Sequence, residues 1–342
     1  MSPATGQLCE RVLGCLYGGE IGDAMGAPAE NMTYQEIAAT FGEITDFSGY
    51  GTDDSAMKHI LCDAIQRGGG YPTADSWAEE WLAQEDLFLK RHLFWIPVMN
   101  GFWKIRGQSV TPREAGHGNM ASSSSAMCIS PMGIINAGNP RQAALETYDV
   151  ASPIHHNFCR DAACSMAAAV AAALHPEATV GSVLEAAVAY LPPQSAHIMR
   201  DAIGTTLALA HAVAHARARQ VSSYEAFREH YYAERLLPGI AMPDSRETVP
   251  VALSLFYLAE GDPERAIVYG ANFGRDADTI ASMVGALAGA YRGASALPAH
   301  WVEKVRAESP RAHEDVAKEL VEVVARRIEH LTRHAAEMGA ML

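Results

Sequence analysis

An all-α fold is predicted by three features of the 342-residue sequence. Apolar residues recur at spacings of three and four, no confident stretch alternates with the period of two that a half-buried strand needs, and small-residue runs dominate the middle. The clearest amphipathic segment is 310–338, where Val316, Leu320, Val323, Val324, Ile328 and Leu331 share a face. Further helices are predicted over 7–25, 55–67, 74–87, 141–150, 158–174, 181–190, 196–219, 223–232, 249–260, 263–271 and 278–292. Gly285 and Gly289 in GALAGA permit close backbone approach and put 278–292 among the central helices of a compact assembly. Prolines 72, 112, 131, 153, 193, 250, 263, 298 and 310 are expected in loops or first helical turns.

Composition narrows the function. The chain is 49% apolar and 19% charged, enough for a large core, and no linker or low-complexity run divides it, so 1–342 is expected to be a single domain. A net charge of −14 without clustered Lys or Arg argues against a nucleic-acid surface. No apolar run is long enough to span a bilayer, the N-terminus lacks a secretory pattern, and the six cysteines form no CxxC pair; a reduced, cytoplasmic setting is expected. Oligomeric state is not encoded in any pattern.

Two acidic turns carry the chemistry. GTDDSAM at 51–57 sets Asp53 beside Asp54, and GRDADTIASM at 274–283 supplies Asp276, Asp278 and Thr279. Residues two apart on a helix point about 200° away from each other, so Asp276 and Asp278 converge only where the chain enters the helix. Each turn alone reads as a helix cap. Together they offer four carboxylates and two hydroxyls, Thr52 and Thr279, a hard-oxygen inventory suited to two Mg²⁺ or Mn²⁺ ions and lacking the His and Cys of a zinc site. Upstream, GGEIGDAMGAPAEN at 18–31 delivers Asp23, expected to be a structural cap, and Glu30 on a loop.

GDAMGAPAE, GTDDSAM, ETVPVAL (247–253) and NFGRDADTIASMVGALAGAYRGASALPAHW (272–301), in that order, resemble the signature of the ADP-ribosylglycohydrolase superfamily. The resemblance implies an orthogonal helical bundle with a binuclear Mg²⁺ or Mn²⁺ site in a central cleft. It implies Thr52, Asp53, Asp54, Asp276, Asp278 and Thr279 as metal ligands, with both turns capping helices and binding metal at once. Glu30 matches the acid beside the metals and, with Asp54, is expected to be catalytic.

The middle of the chain departs from the family pattern. Where relatives carry a segment like GNGSAMR and then Ser-x-Leu-Thr-His, this chain has GHGNMASSSSAMCISPMG and ASPIHHNFC. Gly118, Asn119, Ser124, Ser125, Met127 and His155 are the expected substrate-binding residues, with His156 a weaker candidate than His155. Cys128 replaces the arginine, and Glu114 lies too far back to match an acid found in some relatives. Arg275, also an expected substrate-binding residue, is expected either to meet a phosphate or carboxylate of the ligand or to pair with a neighbouring aspartate. The implied reaction is water attack at a ribosyl anomeric carbon of an ADP-ribosylated protein or ADP-ribose derivative, with the ribose hydroxyls held by metal. The alternatives are a glycosidase acting on a nucleoside, nucleotide or sugar metabolite, and a non-catalytic binding member.

Overall fold

A computed structural model describes residues 3–90, 94–216, 222–234 and 242–342. Seventeen α-helices are present among the described residues. They are α1 (Pro3–Gly26), α2 (Tyr34–Phe41), α3 (Asp53–Arg67), α4 (Ala74–Ala83), α5 (Glu85–Lys90), α6 (Ile96–Arg106), α7 (Ser130–Ile135), α8 (Pro140–Val150) and α9 (Phe158–Ala173). There follow α10 (Val180–Ala189), α11 (His197–His215), α12 (Ser223–Glu234), α13 (Ser245–Leu258), α14 (Pro263–Ala271), α15 (Ala277–Arg292), α16 (Ala299–Glu308) and α17 (His313–Gly339). No strand is present among the described residues, and none of their helices is long and apolar enough to cross a membrane.

The α1–α15 pair forms the axis. Residues 14–26 of α1 and 277–290 of α15 are buried without interruption. Their seam is backbone on backbone: a Cβ added at Gly18 would meet the Gly285 carbonyl oxygen at 2.2 Å, and one at Gly22 the Ala281 oxygen at 2.1 Å. Glycine is therefore a steric requirement along this line, because any side chain would push the helices apart. Around the pair, α9, α13, α14 and α17 supply the main packing.

Several sequence-level expectations change. Helices α2, α6, α7 and α16 were not predicted, since they are short or carry mixed apolar faces. The segment expected to be continuous over 74–87 breaks at Gln84, whose amide nitrogen bonds Asp63 Oδ2 at 2.9 Å and Glu80 Oε1 at 2.7 Å. Residues 217–219, the end of the predicted 196–219 helix, lie outside the described residues. Pro250 is inside α13, not in its first turn. The helix starts earlier, where the Asp244 side chain accepts from the Arg246 N–H, and Pro250 falls in its second turn, with no N–H to return to the preceding turn.

Candidate active site

The two acidic turns meet. Asp53 and Asp54 open α3, Asp276 and Asp278 open α15, and all four line one cavity of about 300 Å³ with Glu30, Ser124, Met127 and Thr279. Thr279 Oγ1 lies 3.4 Å from Asp54 Oδ1, joining turns 225 residues apart. Glu30 reaches the cluster because its loop is tied to the second turn. The Asn31 N–H donates to the Arg275 carbonyl at 2.8 Å, the Arg275 N–H to Met32 at 2.6 Å, and Thr33 bridges Gly274. Oxygens of Glu30, Asp276 and Asp278 lie within 4.8 Å of one another.

The expected capping role is corrected by the hydrogen bonds. Neither Thr52 nor Asp276, the residues in the N-cap positions, makes a side-chain cap. Helix α3 is capped from another helix: Asp23 Oδ2 accepts from the Thr52 N–H at 2.8 Å and the Ser55 N–H at 3.0 Å, and Asp23 also accepts from the Thr52 and Ser55 hydroxyls at 2.7 and 2.6 Å. Asp23 is thus a cap, as its sequence context suggests, but of α3 and not of its own helix. Because Asp23 satisfies the first-turn donors, the carboxylates of Asp53 and Asp54 are left for other partners.

Those carboxylates are under strong electrostatic stress. Asp54 Oδ2 and Asp278 Oδ1 are buried with no hydrogen-bond partner. Burial first, and then the neighbouring carboxylates, push both groups well above the ordinary range. Asp53 is pushed up to about 7, mainly by burial and then by Asp23. Asp276 also rises to about 7 through burial, although the Ser123 hydroxyl, donating at 2.9 Å, opposes the shift. Lys58, buried one turn beyond Asp54, donates to Ser282 at 3.2 Å. Asp23, Glu30, Asp53, Asp54, Asp276 and Asp278 thus gather where no described Lys or Arg lines the cavity, a site that favours added positive charge, and the unpartnered oxygens are hard donors that fit Mg²⁺ or Mn²⁺.

The remaining expected residues divide into lining and frame. Thr52 faces away from this cavity toward Asp23. Ser124 and Met127 line it, whereas Gly118, Asn119, Ser125, His155 and Arg275 do not. Asn119 ties Pro97 to Ile154 through bonds from its amide nitrogen of 2.9 and 2.8 Å. The buried His155 ring lies between Ser122 Oγ at 3.1 Å and Ser125 Oγ at 2.8 Å, and burial lowers it to about 3, so the imidazole is neutral. It holds the serine turn from behind, and that turn presents Ser123 to Asp276. The weaker candidate His156 stacks on His117 and bonds the Arg113 carbonyl. Arg275 pairs neither with a neighbouring aspartate, as expected, nor with the cavity, but with Glu247 at 2.5 Å.

Sequence reasoning did not single out Phe94, Trp95, Met242 or Pro243, which complete the wall. Trp95 is 42% exposed and lines the cavity beside the acids, and its backbone N–H donates to Asp53 Oδ2 at 3.2 Å. The only signal was an aromatic pair before Pro97, in a segment with no predicted element.

Comparison with known proteins bears on the family and the fold. The ADP-ribosylglycohydrolase family profile matches residues 4–335. The chain is 30% identical over 311 residues to the uncharacterized protein YegU of Escherichia coli, covering 84% of this chain and 89% of that protein. It is 24% identical over 309 residues to the ADP-ribosyl-dinitrogen reductase glycohydrolase of Rhodospirillum rubrum, covering 86% and 90%. A solved structure titled ADP-ribosylglycohydrolase-related protein complex shares the fold with a TM-score of 0.68 at 21% identity, over 93% of this chain and 99% of that one.

Proposed function

The chain belongs to the ADP-ribosylglycohydrolase family, whose members hydrolyse glycosyl bonds, and from that membership we propose that it cleaves a ribosyl N- or O-glycosidic bond of an ADP-ribosylated protein or ADP-ribose derivative. One observation carries the reading: Asp54 and Asp278 each turn a buried carboxylate oxygen without a partner toward one cavity, brought there by α3, whose first turn Asp23 caps, and by α15. Asp53, Asp54, Asp276, Asp278 and the Thr279 hydroxyl would hold two divalent cations, whereas the Thr52 hydroxyl, expected as a ligand, is turned away and engaged by Asp23. Bound there, the cations would supply Lewis acidity and a template for vicinal ribose hydroxyls.

The protein's own groups account for the remaining steps. Glu30, on the exposed rim of the cavity, accepts a proton from the attacking water. The water oxygen bonds to the anomeric carbon as the carbon–nitrogen or carbon–oxygen bond to the leaving group breaks, and the bonding pair departs with that group. Asp54 and its neighbours stabilise the positive charge that grows on the ribosyl ring. Trp95 offers a flat apolar surface to a base or sugar.

A second reading has its own support. Among the described residues, none lining the cavity is Lys or Arg, and the Arg275 guanidinium is engaged by Glu247. A nucleoside, nucleotide or sugar metabolite with little negative charge fits that lining as well. A hydrolysis screen in Mg²⁺ or Mn²⁺ against ADP-ribosyl-arginine, ADP-ribosyl-serine, ADP-ribose derivatives and nucleosides, read by mass spectrometry, separates the two. Release of ADP-ribose supports the first reading. Turnover of nucleosides alone moves the assignment to the second, and no turnover of any ribosyl compound overturns both.

A further inference from the structure

Behind the Thr52–Ser55 turn lies a second cavity of about 530 Å³, with Glu20, Tyr50, Ser55, His59, Gln84 and Arg311 in its wall. Glu20 on α1, His59 on α3 and His313 on α17 come together there, all buried. Glu20 Oε2 is 3.3 Å from His59 Nε2 and 2.9 Å from His313 Nε2. Despite these distances, neither Glu20 oxygen has an aligned hydrogen-bond partner. A shared proton would lie along a nitrogen–oxygen line, whereas a cation held by all three atoms sits off those lines. Donors about 2.0–2.2 Å from a tetrahedral ion are themselves roughly 3.3 Å apart, close to the observed separations.

The tautomer points the same way. His313 Nδ1 is 3.2 Å from the Arg311 carbonyl, which can only accept, so Nδ1 carries a hydrogen and Nε2 is the atom turned to the carboxylate, the arrangement of a metal-ligating ring held by its other nitrogen. Tyr17 stacks on the His313 ring with centroids 4.8 Å apart and fixes its orientation. A carboxylate as buried as Glu20 needs a positive centre beside it. The nearby Arg311 does not supply it, since its terminal nitrogens bond Asp63 at 2.9 and 2.8 Å.

We propose that Glu20, His59 and His313 form a transition-metal site, best suited to Zn²⁺, which clasps α1, α3 and α17 and leaves a fourth position open toward the 530 Å³ cavity. Two imidazoles and one carboxylate distinguish it from the all-oxygen acidic site, and it stands independently of the glycosidase reading.

The test uses the full chain, stripped with chelator and titrated with Zn²⁺ in excess Mg²⁺. Elemental analysis should find one Zn²⁺ retained per chain in the wild type and in an Asp53→Ala/Asp278→Ala variant. His313→Gln should weaken retention by roughly 100-fold or more, at least the loss known for disturbing a ligand's supporting hydrogen bond. X-ray absorption on the Zn²⁺-loaded wild type, which requires no variant to fold, should show two imidazole ligands. No Zn²⁺ retained by the wild type, retention unchanged in His313→Gln, or a coordination shell of oxygens alone would each overturn the proposal.

Discussion

Asp54 and Thr279 touch across the mouths of two helices, the hydroxyl 3.4 Å from Oδ1, while the other Asp54 oxygen has no partner at all. An anion in that position destabilises the metal-free chain and is useful only when a cation arrives.

The first consequence is a change of sign with metal. Asp54→Asn should raise the melting temperature in chelator, because it removes a buried charge among like charges. The same substitution should shrink the further rise that Mg²⁺ gives the wild type by mass action, and lower turnover by about 10²-fold or more. Thermal melts with and without Mg²⁺ check both arms, and a variant less stable than wild type in chelator would refute the electrostatic account.

The pH dependence follows from Asp53 and Asp276. A carboxyl raised on folding holds its proton more tightly in the folded chain, so the stability it contributes is present below the ordinary value of 3.8 and is lost as pH rises toward about 7. In chelator, Asp53→Asn should therefore gain on the wild type progressively between those limits. Paired melts across that range measure the difference, and a flat difference would contradict it.

The glycine seam predicts a steric cost remote from the acids. Gly285→Ala places a methyl 2.1 Å from the Gly18 carbonyl oxygen, so the helices must separate, at about 1–3 kcal/mol or more. Both the melting temperature and Mg²⁺ affinity should fall, since Asp278 rides on the displaced helix. Gly204→Ala on α11, where a Cβ meets nothing within 4 Å, should be neutral or slightly stabilising. Chemical denaturation and metal titration of the two variants supply the comparison.

Arg275→Ala should act mainly on folding. Glu247 is only 2% exposed, and losing its partner leaves a buried carboxylate uncompensated, at about 3–5 kcal/mol. Arg275→Met combined with Glu247→Leu should recover much of that loss. Denaturation of the single and double variants measures it; an Arg275→Ala chain of full stability with weakened ADP-ribose binding would instead make Arg275 a ligand contact.

The sequence was most informative where chemistry is local. Asp53, Asp54, Asp276 and Asp278 could be singled out because clustered acids at helix entries are costly without a purpose, whereas Glu30, alone on its loop, was marked only by the family resemblance. Long amphipathic helices such as α17 were readable from their period. What could not be read was orientation: Asp23 and Thr52 have the residue types of ordinary caps, and only the crossing of α1 with α3 shows which helix end Asp23 serves. His155 and Asn119 have the polarity of ligand residues, yet burial turns them toward Ser125 and the Pro97 carbonyl. Trp95 was missed because an exposed aromatic in a loop leaves no periodic trace.

The seam between α1 and α15 also sets when the protein can work. Its two halves lie near opposite ends of the chain, so a polypeptide growing on the ribosome carries α1, with Gly14, Gly18 and Gly22 unopposed, until α15 has been made. Until then Asp54 has no Thr279 beside it and Glu30 has no Asp276. The nascent chain accordingly carries only one half of the acidic centre, Glu30 with Asp53 and Asp54, and the other half joins it once the first helix finds the fifteenth.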